Sequence, residues 1–599
     1  MNRLVSRFFE ERPRLRDRAA PAQRVLETTL FAVALVTALA RHGSPFAPGA
    51  ALLPLDVTVV LANFAAFAVR MILAPDSAQF ARESRLGLGI AITGACGAIA
   101  QAVGGELCHV AWVGCLALVE LHIIARGLHL ACLGVLGERR GNVHLVLTGS
   151  FVLIIVIGTL LLMLPTATTE ELGISFVDAL FTATSATCVT GLAVQDTPVA
   201  FTRLGHWILL ALIQVGGLGL MTMTAFAATT LGSGLSLGET MRLKGILSSE
   251  SLGQVRGSLA FILYSTILFE LAGVVLLFVL APLPGTPPAG AGDLRYVSDR
   301  LFAAIFHAVS AFCNAGFALH SDSLVSWRSA HAAGIGVVMV LIVAGGLGFR
   351  VHQDLWALVK WRLTGRKSAP EDARPWRIEV QTWIVLAATG TLLLSGTIGM
   401  AALETGTGAL TDLSRGGSAY HALFESVTAR TAGFNTVDIA AHTDAGLFFM
   451  IILMFIGASP GSTGGGIKTS TFALAALALW QMVTNSSQVA VAHRRVPHRA
   501  VESALVVVLL GAIIVGASTL FLLATQTVPL RDLLFESVSA FATVGLSTGV
   551  TPHLTDGGKL LLCAVMLVGR IGPLTLMLAM ASRRPRPAFE YPSEDVMVG

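Results

Sequence analysis

Four short segments of the chain carry residues that could take a cation out of water. Each opens on Phe, passes through a Ser/Thr–Ala step and closes on Gly followed by Leu or Phe. The opening residues are Phe181, Phe306, Phe424 and Phe535, and the closing residues are Gly191, Gly316, Gly433 and Gly545. Glycine accepts the positive φ that turns backbone carbonyls toward an axis. A ring of such carbonyls can replace the hydration shell of a cation.

The residues between the Phe and the Ser/Thr–Ala step are enough for about two to three helical turns. A half-helix there would point its partially negative carboxyl end at the ion. We therefore predict an ion-binding selectivity filter in which the residues ending each segment supply the carbonyls. These residues are Thr187, Cys188, Val189, Thr190 and Gly191; Cys313, Asn314, Ala315 and Gly316; Arg430, Thr431, Ala432 and Gly433; and Ala542, Thr543, Val544 and Gly545.

The spacing from Phe to Gly is ten residues in three of the segments and nine in the third, so the third is an imperfect copy. A bland explanation is that these are glycine-containing loops or small-residue contacts between helices. Recurrence four times in one chain favours a repeated structural unit instead.

A second cluster of unusual residues follows the third segment inside an apolar stretch. Five Gly and one Pro fall within residues 457–466. Each Gly costs about 1 kcal/mol and Pro about 3 kcal/mol relative to Ala in a helix, so the helix must break there. We predict that this loop blocks the pore from below, that Arg570 holds it, and that a cytoplasmic partner moves it. The predicted gating residues are Gly457, Ser459, Gly461, Ser462, Thr463, Gly464, Gly465, Gly466, Lys468 and Arg570. The alternative is a rigid hinge.

Other motifs compete with this interpretation. Gly457-Ala-Ser459-Pro-Gly461 matches the nucleophile elbow of serine hydrolases, although that motif needs a strand–turn–helix context. The glycine run resembles a phosphate loop, but Ile467 intervenes where Lys must follow the last Gly directly. We therefore expect no cofactor in this chain. A proton-coupled carrier is a second rival, although the repeats share no carboxylate at the membrane midplane. His307, Glu425 and Glu536 follow the repeat Phe and are expected to bond within the pore scaffold.

The elements that must position these residues are apolar helices. The 599 residues are 54% hydrophobic and 13% charged, against about 25% charged residues in soluble domains, which argues against a soluble enzyme. Hydropathy predicts about twelve spans, about four of them before residue 140. The predicted fold is an all-α integral membrane protein. Four units, each a helix, a pore helix and a second helix, surround one pore in pseudo-fourfold arrangement beside an N-terminal helical module.

The net charge of +4 comes from basic loops, which we assign to the cytoplasmic side rather than to nucleic-acid binding. Both termini are then cytoplasmic. The predicted organisation is a basic tail (1–24), a module of about four transmembrane helices (25–140), repeat 1 (143–230), repeat 2 (257–350), a basic cytoplasmic loop (351–379), repeat 3 (380–481) with the gating loop (457–471), repeat 4 (500–582) and a cytoplasmic tail (583–599).

Five motifs give the chain a family resemblance over residues 143–582. They are NAGF at 314–317, RTAGFNT at 430–436, GASPGSTGGGIKTST at 457–471, TVGLSTG at 543–549 and GRIGPLT at 569–575. The chain resembles the Trk/Ktr/HKT superfamily of potassium transporters, more in the manner of KtrB than of TrkH. The resemblance implies uptake of K⁺, held at the filter carbonyls, across a bacterial cytoplasmic membrane. It also implies a homodimer in membrane lipid, with a cytoplasmic RCK subunit of the KtrA or TrkA type that binds ATP/ADP or NAD(H).

Two features of the resemblance bear on specificity and organisation. Glycine at all four filter positions argues for K⁺ over Na⁺, because Ser at the first position accompanies Na⁺ transport in plant relatives; dependence of K⁺ uptake on Na⁺ is left open. Residues 1–140 depart from the KtrB pattern. The only Arg of their last span is Arg126, which is too few for a voltage sensor. We expect a structural or docking module.

Overall fold

A computed structural model describes residues 143–580, except 171–172, 232–251, 282–293, 329–330, 365–377, 407, 412, 486–487 and 493, together with residues 60 and 63. The predicted basic tail, nearly all of the N-terminal module and the C-terminal tail lie outside these residues. Within the described part, the chain is helical apart from loops and one two-stranded antiparallel hairpin, β1 (Ala490–Val491) with β2 (Arg494–Arg495).

The helices follow one another along four chain segments. They are α1 (Val143–Leu162), α2 (Phe176–Thr187), α3 (Thr197–Ala200) and α4 (Arg203–Leu231); then α5 (Leu252–Leu280), α6 (Leu294–Cys313), α7 (Ala332–Leu347) and α8 (Phe349–Thr364); then α9 (Val380–Glu404), α10 (Arg415–Thr428), α11 (Asp444–Phe455) and α12 (Thr469–Val483); and finally α13 (His498–Thr525), α14 (Leu530–Ala542), α15 (Asp556–Ile571) and α16 (Pro573–Met580).

Several of these helices have the length and hydropathy of membrane spans. Among the described residues, Ala260–Leu280 in α5, α9 and α13 each qualify alone. The pair α7 and α8 qualifies together but bends by 101° at the break between them. The chain is therefore a helical membrane protein. The start of the segment 351–379, which we expected to be a loop, continues α8 as far as Thr364.

The four helices that precede the filter segments (α2, α6, α10 and α14) begin earlier than the sequence pattern suggested, ahead of the repeat Phe. Polar caps define two of these starts, because Ser175 and Ser414 accept hydrogen bonds from Asp178 N and Gly417 N. Such a cap stabilises a helix by about 1 kcal/mol. The repeat Phe then lies well inside each helix, and all four of these rings are fully buried in the core around the filter.

Glycines bring the following helices close to the ends of these pore helices. A Cβ on Gly216 of α4, on Gly345 of α7 or on Gly569 of α15 would collide with a carbonyl oxygen near a pore-helix end. The three oxygens are those of Thr187, Phe312 and Phe541. Backbones can approach this closely inside a membrane only where the side chain is absent. These contacts fix the position of the predicted filter segments relative to the helices around them.

Candidate ion pathway

The four predicted filter segments share an unusual backbone conformation. The four closing glycines have φ values of 94°, 72°, 79° and 94° in chain order. The residue two positions before each glycine is also left-handed, although none of these four is glycine: Val189, Asn314, Thr431 and Thr543 have φ of 57°, 61°, 71° and 49°. Left-handed backbone is uncommon outside glycine and costs free energy. Aligned on the glycine, the third segment has the same conformation as the others despite its missing residue.

The four glycines lie against one another in a closed order. A Cβ on Gly191 would lie 2.5 Å from Ala315 O, one on Gly316 would lie 2.8 Å from Ala432 O, and one on Gly433 would lie 2.6 Å from Val544 O. The order closes on itself, because a Cβ on Gly545 would lie 2.9 Å from the Cα of Gly191 and would collide with Thr190 O. The glycines and the carbonyls just before them therefore meet in one narrow ring.

The Ser/Thr of the repeated Ser/Thr–Ala step holds each segment in this conformation. The backbone oxygens of Ser185, Ser310, Thr428 and Ser539 accept hydrogen bonds of 2.7–2.9 Å from the residue just before each glycine. Their hydroxyls add a second bond. Ser185 and Ser539 accept from the glycine N–H at 3.0 Å, whereas Ser310 and Thr428 donate to the carbonyl that follows the glycine. The Ser/Thr–Ala step recurs in all four segments of the sequence. Its role in holding the backbone of each segment was not predicted from that recurrence.

A cavity of about 520 Å³ lies on one side of the glycine ring and is lined by all four glycines. Its walls include Asp196 and Asp438, and its described lining residues include no Lys or Arg. A cleft lined by one sign of charge concentrates the opposite ion. This vestibule therefore favours cations at the mouth of the ring.

The loop 457–466 lies on the side of the ring opposite the cavity. It belongs to the chain segment that connects α11 to α12. A Cβ on Gly464 would collide with the Thr431 hydroxyl, and one on Gly465 with the Thr543 hydroxyl. Ser459 N and Thr463 N donate to Gly346 O and Gly345 O at 3.1 and 3.3 Å. The loop is thus packed directly under two filter segments and bonded to the end of α7.

Two basic side chains hold this loop. The guanidinium of Arg570, which is 3% exposed, donates to Thr463 O and to Gly216 O at 2.6 Å. Nζ of Lys468 donates to Gly464 O at 2.7 Å. The predicted gating residues therefore come together around one buried site. Arg570 connects the loop to α4, a contact that the sequence alone did not predict.

The side chains of several other predicted site residues lie near the ring or within the loop without bonding the two together. The hydroxyls of Thr187, Thr190 and Thr543 are buried with no hydrogen-bond partner, so they offer oxygens close to the ring. Arg430 contributes backbone to the third segment, but its side chain is buried and its Nε has no partner. Ser459 accepts from the Thr469 hydroxyl at 3.1 Å.

The ionisable residues after the repeat Phe bond within the scaffold. His307 Nδ1 lies 2.8 Å from Ala303 O, and its Nε2 accepts from Leu319 N at 3.3 Å, which describes a neutral imidazole. Glu536 accepts from the hydroxyls of Ser547 and Thr551. These groups brace the pore helices against the loops that follow the filter.

A buried histidine lies between two carboxylates in the third repeat. Nδ1 of His442 lies 3.1 Å from Glu404 Oε2, and its Nε2 lies 2.9 Å from Glu425 Oε1. Both ring nitrogens face acceptors, so the protonated imidazolium fits this site. Burial lowers the pKa of His442, but Glu425 and Glu404 outweigh that effect and raise it above its ordinary value. Glu425 was expected to bond within the scaffold, but the three residues come from different segments with no shared spacing, and nothing in the sequence indicated that they would meet.

The raised pKa predicts a pH-dependent stability. The stabilisation is fully present below the ordinary pKa of histidine, and it is lost as the pH rises through the raised pKa of the folded state. We expect the melting temperature of the purified protein to fall from mildly acid to alkaline pH. His442→Gln should melt lower, with a loss of about 3–5 kcal/mol for a broken buried pair, and should lose this pH dependence. The exposed His553→Gln is the control, and an unchanged pH profile in His442→Gln would contradict the assignment.

An ion pair joins the first and last repeats. Lys559 Nζ on α15 lies 2.6 Å from Asp178 Oδ1 on α2, and both side chains are nearly buried. Gln195 donates to the other oxygen of Asp178 at 3.4 Å. Removing one partner of such a pair leaves an uncompensated charge, which is strongly destabilising. The pair therefore connects α15 to α2, two helices far apart in the chain.

Comparison with known proteins places the chain in a family. The family model TrkH, described as "Cation transport protein", matches residues 140–591. The chain belongs to the TrkH family. That membership confirms the resemblance seen in the motifs, and it makes the chain a transport protein rather than an enzyme. The matched region leaves out residues 1–139, the part that departs from the KtrB pattern.

Two curated relatives of this TrkH family member are similar over most of their length. Ktr system potassium uptake protein B of Vibrio alginolyticus is 37% identical, and the alignment covers 77% of this chain and 96% of the relative. The protein of the same name from Bacillus subtilis is 35% identical over 76% and 96%. The solved potassium transporter TrkH of Vibrio parahaemolyticus has a TM-score of 0.55 at 18% identity and matches 88% of this chain and 96% of its own. That likeness supports the fold.

Proposed function

We propose that this chain is the pore-forming subunit of a Ktr/Trk-type system for K⁺ uptake across a bacterial cytoplasmic membrane. The observation that carries the proposal is the closed order of Gly191, Gly316, Gly433 and Gly545, with a backbone carbonyl against each. Carbonyl oxygens in such a ring replace the water around a K⁺ ion. The four units then stand in pseudo-fourfold arrangement around one pore, and both termini lie in the cytoplasm.

The assignment of K⁺ as the transported ion is supported by the names of the relatives and by the glycines at the predicted filter positions. Two relatives similar over most of their length are named for potassium uptake, and another is named a potassium/sodium uptake protein. Glycine at every filter position leaves the carbonyls free to serve as ligands. Whether Na⁺ stimulates the flux is a second question, which the same uptake assay answers when Na⁺ is varied.

The direction of flow follows from the membrane potential. Moving one charge across 100 mV releases about 2.3 kcal/mol. A tenfold K⁺ gradient opposes entry with about 1.4 kcal/mol. Passive entry through a pore is therefore sufficient for uptake, and neither proton coupling nor chemistry in this chain is required.

We further propose that the loop 457–466 is the gate. It lies under the filter residues Thr431 and Thr543, and Arg570 holds it through Thr463 O. The positive charge of Arg570 beside the conduction path would repel K⁺ where the dielectric constant is low. A rigid hinge, the competing explanation, would leave the flux unchanged when Arg570 is removed.

The regulatory partner in this proposal is a cytoplasmic RCK subunit that binds ATP/ADP or NAD(H) and acts on a homodimer of this chain. The relatives are named as components of Ktr systems, which favours a multi-subunit assembly. The glycine run of this chain lacks the Lys placement of a phosphate loop. Nucleotide control would then come from the second subunit.

The test is K⁺ uptake into bacterial cells that lack their own K⁺ transporters. We expect this chain to restore growth at low K⁺, and a co-expressed RCK subunit to make the flux respond to nucleotide. The purified chain alone should bind neither ATP nor NAD(H), whereas the complex should bind one of them. Absence of K⁺ flux in cells that carry the chain in the membrane would refute the function. Tight nucleotide binding by the chain alone would refute the assignment of the partner.

A further inference from the structure

The helix α8 has the composition of a membrane-surface helix. Its side chains Trp356, Val359 and Leu363 are 59%, 46% and 81% exposed. They follow the i, i+3, i+7 spacing that places residues on one face of a helix. The basic residues Lys360 and Arg362 are also exposed. An apolar stripe with Trp and Leu beside basic side chains is typical of helices that lie in the bilayer interface.

The course of the chain supports this position. The axis of α8 turns by 101° from that of α7, so a helix that follows an approximately upright α7 runs close to the plane of the membrane. The other face of α8 is attached to the beginning of α9. Arg350 forms a two-pronged ion pair with Glu379 at 2.7 and 3.1 Å, and Thr382 donates to Asp354. The polar face is therefore occupied by protein, and the apolar stripe faces outward.

The corner between α7 and α8 also carries the loop 457–466. Phe349 N donates to Gly461 O at 3.0 Å, and a Cβ on Gly348 would lie 2.6 Å from Pro460 O. Together with the bonds from the loop to Gly345 O and Gly346 O, these contacts join the loop to the first turn of α8. A displacement of α8 would therefore be transmitted to the loop through these few backbone contacts.

We propose that α8 binds the anionic phospholipid headgroups of the cytoplasmic leaflet, and that this attachment steadies the corner on which the loop 457–466 is held. The basic side chains of α8 fit the negative surface of that leaflet, at about 1 kcal/mol for each charge near the surface. Trp356 and Leu363 enter the boundary between headgroups and acyl chains. The coupling of lipid to flux rests on the proposed function of the loop as a gate, whereas the docking of α8 rests only on the proposed cytoplasmic side of the segment 351–379.

The first experiment measures docking without any transport. The full chain is reconstituted in vesicles of phosphatidylcholine and phosphatidylglycerol whose acyl chains carry bromine near the headgroup. The fluorescence difference between wild type and Trp356→Phe isolates Trp356. We expect bromine to quench this component, whereas the corresponding component of the fully buried Trp327, obtained with Trp327→Phe, is not quenched. An unquenched Trp356 overturns the proposal. So does quenching that disappears when the vesicles hold more protein at constant lipid composition, because a second copy of the chain then covers the face.

The second experiment measures coupling. K⁺ flux is recorded while the phosphatidylglycerol fraction is raised, for wild type, for the double variant K360Q/R362Q and for the exposed control Arg415→Gln. We expect flux to depend on the anionic fraction in wild type and in the control. In the double variant the apparent affinity for anionic lipid should fall about fivefold for each charge removed. Identical lipid dependence in all three proteins overturns the coupling. Absence of flux in all three refutes the proposed function and leaves the docking to be decided by the quenching of Trp356.

Discussion

Replacing Gly545 by alanine is expected to lower K⁺ flux at least about tenfold while the protein still reaches the membrane. Gly545 has φ of 94°, and its added Cβ would collide with Thr190 O. Left-handed backbone costs a residue with a side chain roughly 1–2 kcal/mol, and the collision must also displace a carbonyl. The displaced carbonyl is one of those that would coordinate the ion, so transport is expected to suffer more than folding. Isotope uptake at matched expression measures the effect.

The chain offers a matched control for this substitution. Gly390 lies inside α9, and an added Cβ there would meet nothing within 4 Å. Gly390→Ala should leave K⁺ flux unchanged, because alanine favours the helix.

Gly191→Ser should weaken the preference for K⁺ over Na⁺, since its Cβ would lie 2.5 Å from Ala315 O. If permeability ratios stay constant in variants of all four glycines, the filter is elsewhere.

Removing the side chain of Arg570 is expected to raise K⁺ flux in the absence of a regulatory partner. Arg570 donates to Thr463 O and Gly216 O. A hydrogen bond from a charged group contributes about 1.5–3 kcal/mol, so its loss should increase the population of the displaced loop by about tenfold or more. Arg570→Ala should conduct more and depend less on the partner. Deleting several residues from 458–466 should have the same effect.

The control for Arg570 is an arginine that carries no gate contact. Arg415 is exposed at the beginning of α10, and Arg415→Ala should transport like wild type with and without the partner. Arg570→Lys should be intermediate, because an ammonium keeps the charge but cannot match the planar fork of a guanidinium. A deletion variant that folds, reaches the membrane and conducts no better than wild type would show that the loop is only a rigid hinge.

The sequence predicted the features of this chain that are local. Gly457, Gly461 and Gly466 with Pro460 cannot continue a helix, and the break between α11 and α12 falls where the composition placed it. The glycines that end the four segments were identified from their recurrence. Glycine is favoured wherever the backbone adopts a positive φ, so its position predicts such a turn without any knowledge of the residues packed around it.

The features that the sequence did not predict depend on residues distant in the chain. Val189 and Thr543 are β-branched, and nothing in their type suggests the left-handed backbone that they adopt. His442 meets Glu404 and Glu425 only after three separate segments are packed together. The helix α8 was expected to be a loop because its charges masked the apolar stripe. For the left-handed residues and for the His442 cluster, tertiary packing decides the arrangement, whereas the helical spacing of α8 was present in the sequence but was obscured by its charged residues.

The ion pair between Lys559 and Asp178 has a consequence for how the protein is made. These residues are 381 positions apart in the chain, yet they join the last unit to the first. Domains begin to fold during synthesis, which proceeds at about 5–20 residues per second. The chain as far as Gly433 is therefore made before Gly545 has been synthesised. Gly191 lacks its neighbour Gly545 throughout that interval. A chain that ends before Gly545 therefore cannot form the closed order of glycines, and the ring is completed only when the final segment has been synthesised.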